Sequence, residues 1–221
     1  YHFKANVYRQ LGEFEKAKPL YEKSIEKRKG LSSESTAYLV SGHNFMFSGD
    51  LKTARERYAK AIELTKTSDS WFNLNFYLLC SYMFDNDYIG AIEHINNVDE
   101  KLESKGFDDV SLLGIKSQIN WQKMVCYAHN QMEEDAYNAL EQGSIFGEKR
   151  AELLKDENTW KAVRSEKQFE TAWVNILFGK YEEAKKNLDA LKEMQEKRND
   201  PTAMYGYSGL MGMTHLMEGN Y

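Results

Sequence analysis

Five histidines and two cysteines are the first candidates for chemistry in this chain of 221 residues. His2, His43, His94, His129 and His215 form no short metal-ligand pair at helical spacing. Cys80 and Cys126 stand far apart and lack metal spacing, so no disulfide framework is expected. A reactive cysteine needs exposure and a lowered pKa, and each of these reads instead as a buried structural thiol. Asp85-Asn86-Asp87-Tyr88-Ile89-Gly90 opens like a calcium loop, with glycine in the sixth place. Ile89 in the fifth place and Asn96 in the twelfth remove two ligands the ion needs, so the stretch reads as a turn between helices. Glu133-Glu134-Asp135 reads as a solvated helix start, where negative charge meets the positive end of the helix dipole. No glycine-rich phosphate loop and no nucleophile elbow occurs. The chain reads as non-enzymatic, with no catalytic residue, no cofactor and no metal site.

The elements that would position any site are announced by an internal repeat. Gly12-Glu13-Phe14-Glu15-Lys16-Ala17 returns as Gly49-Asp50-Leu51-Lys52-Thr53-Ala54 and as Gly179-Lys180-Tyr181-Glu182-Glu183-Ala184. Asn86-Asp87-Tyr88-Ile89-Gly90-Ala91 is a looser copy, and Gly219-Asn220-Tyr221 begins another. Each joins two helical stripes: Ala5, Tyr8 and Leu11 precede Gly12, while Ala17, Leu20, Tyr21, Ser24 and Ile25 follow it. The glycine can take the left-handed conformation that stops the first helix. Helix pairs of this size cannot bury their apolar stripes alone, so they stack. Small residues at Ala5, Gly42, Ala172 and Gly212 on first helices, and alanines 17, 54, 91 and 184 on second helices, allow close approach.

Successive units are expected at about 1–30, 35–66, 71–104, 109–143, 157–196 and 201–221, in one array. The last holds only a first helix, opened by the turn Asn199-Asp200-Pro201. The fourth is degenerate, with one extra residue in its turn near Asn130-Gln131, and residues 144–156 read as an irregular insertion, either a short extra helix or an elaborated connection. The chain starts and stops inside helical patterns, which reads as a piece of a longer protein.

Composition fits a folded helical protein. The chain is 42% hydrophobic and 29% charged, with two prolines to interrupt helices. A net charge of −5 with interleaved Lys and Glu argues against a nucleic-acid partner. No apolar run reaches the roughly 18 residues of a membrane span, so no membrane insertion is expected. Localisation is left open, with the cytoplasm favoured, and the Lys, Glu, Asn and Tyr content points to a bacterial source.

These motifs resemble the tetratricopeptide repeat family. The matching positions are Ala5, Tyr8, Gly12, Phe14, Ala17 and Tyr21 in the first unit, and Gly42, Phe45, Gly49, Leu51, Ala54 and Tyr58 in the second. In the fifth they are Ala172, Asn175, Gly179, Tyr181, Ala184 and Leu188, with Asn175 departing from the usual aromatic. The 37-residue interval between Ala17, Ala54 and Ala91 exceeds the family's 34. The resemblance implies an all-α, right-handed superhelix of antiparallel helix pairs whose first helices line a concave groove. Carried onto this chain, that groove is lined by Leu39, His43, Met46, Phe76, Cys80, Met83, Trp121, Val125, Trp173, Leu177, Met213 and Met217. It implies a non-enzymatic scaffold for a protein or peptide ligand, with mutual packing of these side chains as the plainer alternative. A second function reading is a sensory module that binds a small peptide or metabolite and couples to domains outside the chain. One subgroup of the family grips a carboxylate with Lys, Asn and Arg. Here Asn6 fits one position, but His2 and His43 stand where others are needed, so that clamp is not expected.

Overall fold

The computed structural model describes residues 1–197 and 204–219. Among them are eleven α-helices. They fall into two compact units, residues 1–106 and 107–221. Unit one contains α1 (His2–Gln10), α2 (Phe14–Arg28), α3 (Glu34–Phe47), α4 (Leu51–Leu64), α5 (Ser68–Met83) and α6 (Tyr88–Leu102). A short 3₁₀ turn at Glu103–Lys105 follows α6. Unit two contains α7 (Asp109–His129), α8 (Glu133–Leu154), α9 (Glu157–Leu177), α10 (Tyr181–Glu196) and α11 (Tyr205–Glu218). Odd-numbered helices are the first helices of pairs and even-numbered ones the second.

One turn closes all five complete pairs. Its left-handed residue is Gly12, Gly49, Asn86, Gln131 or Gly179, with φ between 56° and 84°. The amide of the next residue bonds back five positions: Glu13 to the Tyr8 carbonyl, Asp50 to Phe45, Asp87 to Tyr82, Met132 to Tyr127 and Lys180 to Asn175. This is the Schellman closure, and it satisfies carbonyls that the helix end leaves unpaired. Asp50 and Asp87 also cap the following helix, their carboxylates accepting from the Thr53 and Gly90 amides at 3.1 and 2.9 Å. The segment that opens like a calcium loop is therefore one of these turns.

Counted from the left-handed residue, the alanine five positions on is Ala17, Ala54, Ala91, Ala136 or Ala184, and each is fully buried. Four positions further lies Tyr21, Tyr58, Ile95, Leu140 or Leu188, each at most 5% exposed. These side chains pack on the partner helix. Ala17 and Tyr21 meet Ala5, and Ala184, Leu188 and Leu191 meet Ala172 and Ile176.

Two expectations need correction. The fourth turn has no extra residue: Gln131 takes the left-handed place at φ 59°, and Ala136 follows at the regular offset. Residues 144–154 are no irregular insertion but the second half of the 22-residue α8, which ends at the left-handed Lys155. The turn Asn199-Asp200-Pro201 lies outside the described residues, as do Thr202, Asn220 and Tyr221.

Gln131 pays for its place, because a left-handed conformation costs a residue with a Cβ about 1–2 kcal/mol. Gln131→Gly is expected to raise stability by about 1 kcal/mol in a urea titration, net of the glycine's greater unfolded entropy. A loss of stability would instead make the long 3.5 Å bond from the Gln131 amide to the Ala128 carbonyl the dominant contribution.

Candidate binding surface on the first helices

In the first two pairs the side chain six positions before the left-handed residue reaches the second helix, where a tyrosine receives it. The Tyr21 hydroxyl donates to Asn6 Oδ1 at 2.7 Å, and the Tyr58 hydroxyl lies 2.8 Å from His43 Nδ1. The Tyr58 hydroxyl is also 3.5 Å from Met46 Sδ. His43 is further enclosed by rings: Tyr77 edge-on at 4.6 Å, Tyr58 at 5.5 Å and Phe47 at 6.4 Å. Burial, with a smaller contribution from the Arg9 guanidinium, lowers the His43 pKa to about 4. The imidazole is therefore neutral at pH 7, a ring wall with one fixed polar contact. Burial also pushes up the Tyr58 phenol and the Cys80 thiol, so neither supplies an anionic nucleophile near neutrality.

In unit one, Leu39 and Met46 on α3, with Tyr77 and Leu78 on α5, pack against the buried Phe45, Ala54 and Tyr58. Phe76 sits 6.0 Å from Tyr77, centroid to centroid, and with Cys80 and Met83 is half-buried. Phe47 stands 56% exposed at the edge of this ring cluster. Arg9 lies over the Phe47 ring at 6.0 Å and makes no ion pair with a described residue. Arg9 was missed at the sequence level, although it sits three positions before its turn residue, the register of Met46 and Met83. The face thus joins an aromatic wall to one uncompensated positive charge.

Unit two distributes the remaining expected residues less evenly. Trp121 on α7 is 41% exposed, whereas Val125, one turn on, is 7% exposed and unavailable to a partner. On α9, Trp173 packs edge-on against His129 at 5.7 Å and against the core shared by α9, α10 and α11, with Leu177 half-buried. Met213 packs against that same core, and Met217 is exposed. Trp121 also borders a narrow cleft among α7, α8 and α9, with Ser117, Gly143, Gly147, Glu166 and Glu170. Burial raises the pKa of both glutamates, and the adjacent Glu166 helps take Glu170 to about 7, while Arg150 partly opposes the effect on Glu166.

A cleft of about 470 Å³ in unit one is lined by Trp71, Asn75, Tyr82 and His94, among others. His94 there is held 3.1 Å from the Asn75 carbonyl oxygen and stacks on Tyr82. Among the described residues, no three His, Cys, Asp or Glu side chains come together in a way that could hold a metal ion. No described helix is long and apolar enough to cross a membrane.

Residues 1–26 match the family model described as tetratricopeptide repeat. No curated protein matches the chain in sequence. Solved structures do. The TPR-like repeats assigned to a kinesin light chain of Podosopora anserina are similar at 20% identity and a TM-score of 0.63, covering 90% of this chain and 95% of that one. A substituted form of the same array gives 22% identity and 0.62, covering 89% and 93%. The apo form of RapI is similar at 12% identity and 0.68, covering 99% of this chain and 60% of that one. At these identities the likeness is one of fold. The fold is thus that of solved tetratricopeptide-like repeat arrays, and residues 1–26 match the tetratricopeptide repeat itself.

Proposed function

We propose that the protein is a binding scaffold for a peptide segment of another protein, and that the face formed by α1, α3 and α5 is its docking surface. The observation that carries this reading is Arg9, which lacks an ion-pair partner among the described residues and lies beside the exposed Phe47 and the neutral, ring-enclosed His43. An uncompensated guanidinium prefers a planar carboxylate, with which it makes paired charge-assisted bonds. The rings and methionines next to it favour an apolar side chain. The ligand class is therefore an extended segment in which an acidic residue or a terminal carboxylate adjoins an apolar or aromatic residue. The reading is one of recognition, not catalysis.

The test is an array of ten-residue peptides varying charge and hydrophobicity, probed with the whole chain and with Arg9→Ala and Phe47→Asp. The selected peptides are expected to carry the acidic–apolar pair. Each substitution is expected to weaken them at least about tenfold, the equivalent of 1.4 kcal/mol. Both positions are partly or wholly exposed, so circular dichroism should show unchanged helix content. Peptides bound equally by all three proteins would place the binding surface elsewhere.

A further inference from the structure

The hairpin of α9 and α10 carries a basic cleft at the end remote from its turn. Lys161 and Lys197 stand 18 positions before and after Gly179 (179 − 161 and 197 − 179), so the antiparallel helices bring them level. Asn158, Lys161, Ala162 and Ser165 form one stripe of α9, at the spacing i, i+3, i+4 and i+7. With Arg164, and with Met194 and Lys197 from the end of α10, this stripe lines a cleft of about 570 Å³. Sites for small molecules commonly measure about 300–1,000 Å³.

Charge distinguishes this cleft. Among the described residues that line it, three are cations and none is acidic. No hydrogen bond or ion pair among the described residues engages the side chains of Lys161, Arg164 and Lys197, or those of Asn158 and Ser165. Elsewhere in unit two, Lys167, Lys180, Lys185 and Lys192 each pair with a glutamate. The Asp156 carboxylate, at the start of α9, accepts instead from the Asn158 and Thr159 amides and from the Thr159 hydroxyl. Arg164 lies over the Trp160 ring at 5.6 Å, one turn earlier on α9, and the ring steadies its guanidinium. Three like charges in one concavity repel one another, and a bound anion relieves that repulsion.

We propose that this cleft binds a small organic phosphate, a monoester whose phosphate meets Lys161, Arg164 and Lys197 and whose apolar body rests on Ala162 and Met194. A phosphate monoester carries about −1.5 to −2 charge on three strong acceptor oxygens, which suits three cations better than one carboxylate does. The guanidinium takes two of those oxygens at once, and each ammonium serves as a point charge. Asn158 and Ser165 supply neutral donors beside them. The site lies in unit two and does not depend on the peptide surface of unit one.

The probe is phenyl phosphate, titrated into the whole chain by isothermal calorimetry, beside inorganic phosphate and benzoate. Phenyl phosphate is expected to saturate one site and to bind more tightly than either. Arg164→Gln, Lys161→Gln and Lys197→Gln should each weaken it about tenfold. Ala162→Trp fills the cleft without removing a charge and should abolish binding. Lys186→Gln removes an equal charge from α10 outside the cleft and should change nothing, as should Arg9→Ala. The cleft side chains substituted here are exposed, so circular dichroism should show unchanged helix content. Absence of saturable binding, indifference to Arg164→Gln and Ala162→Trp, or an equal loss with Lys186→Gln overturns the proposal. Inorganic phosphate binding as tightly as phenyl phosphate would overturn the assignment of an organic ligand. So would binding of a short phosphotyrosine peptide where phenyl phosphate fails, since a protein segment would then be what is recognised.

Discussion

Tyr58→Ala is expected to destabilise unit one by about 3–5 kcal/mol, the usual cost of emptying a large aromatic site. Tyr58 is fully buried and fills the space that Gly42 leaves on α3. Its removal opens a cavity between α3 and α4 and strips His43 of its hydroxyl partner at 2.8 Å. Tyr58→Phe keeps the ring and loses the oxygen, so it should cost only about 1 kcal/mol. Urea denaturation of the two variants separates packing from hydrogen bonding. Equal losses would mean that the polar contact to His43, not ring packing, holds α3 to α4. Because His43 belongs to the ring cluster of the proposed peptide surface, Tyr58→Ala should weaken peptide binding as well, while Tyr58→Phe should largely preserve it.

Glu170→Gln should stabilise unit two at pH 8 and do nothing at pH 4.5. The carboxyl is held near pKa 7 in the fold, mainly by burial and then by Glu166, against an ordinary value of 4.5. The folded state therefore binds the proton more tightly than the unfolded chain. Its contribution is fully present below about pH 4.5 and is lost as pH rises toward 7. Above pH 7 the glutamate is a charge kept in a poorly solvated cleft, and the amide removes it. The gain reaches up to about 3 kcal/mol, from 1.36 kcal/mol for each pH unit between the two values. Thermal melts followed by tryptophan emission suit this test, since Trp121, Trp160 and Trp173 all lie in unit two. A gain of equal size at both pH values would show that the carboxyl is well solvated. His43 in unit one acts in the opposite sense. Its pKa is lowered to about 4, so the stability it reflects is present above pH 6.5 and is lost as pH falls toward 4. Acidification from pH 7 to 5 therefore weakens unit one and strengthens unit two.

The pairs and their turns were legible because their determinants are local. Gly12, Gly49 and Gly179 are needed where φ is positive, and an alanine five positions later is needed where two helices touch. The fourth turn was misread because glutamine carries no left-handed signature, although the backbone of Gln131 adopts the same conformation. The continuity of α8 was missed because Gly143 and Gly147 look like helix breakers. They sit at helix contacts: a Cβ on Gly143 would just touch Asn120 and the Ser117 carbonyl at 3.4 Å, and one on Gly147 would crowd Val163 at 3.2 Å. Such contacts join residues some 16 to 26 positions apart, which a local pattern does not display. The binding residues divide in the same way. Their helix and register were readable, but exposure depends on what the neighbouring helix presents, so Val125 is buried while Trp121 is not. Arg9 escaped notice because basic residues were sought only at the places a carboxylate clamp requires. Glu170 owes its unusual state to neighbours on its own and adjoining helices, and nothing in its local sequence marks it.

The common turn also bears on how such a chain can change length over generations. The left-handed residues that end the first helices are separated by 37, 37, 45, 48 and 40 positions, yet the alanine five positions after each complete turn is fully buried every time. Each hairpin is pinned at one end, and the length differences accumulate at the other, where α7, α8 and α9 extend to 21 or 22 residues. A whole helical turn gained or lost at the distal ends leaves the pinned contacts aligned. A single residue inserted beside the pin rotates everything beyond it by about 100°, since a helix holds 3.6 residues per turn. Insertions and deletions that survive selection should therefore gather at the distal ends, and they would give each lineage a differently sized surface there without altering the joint that holds the pair together.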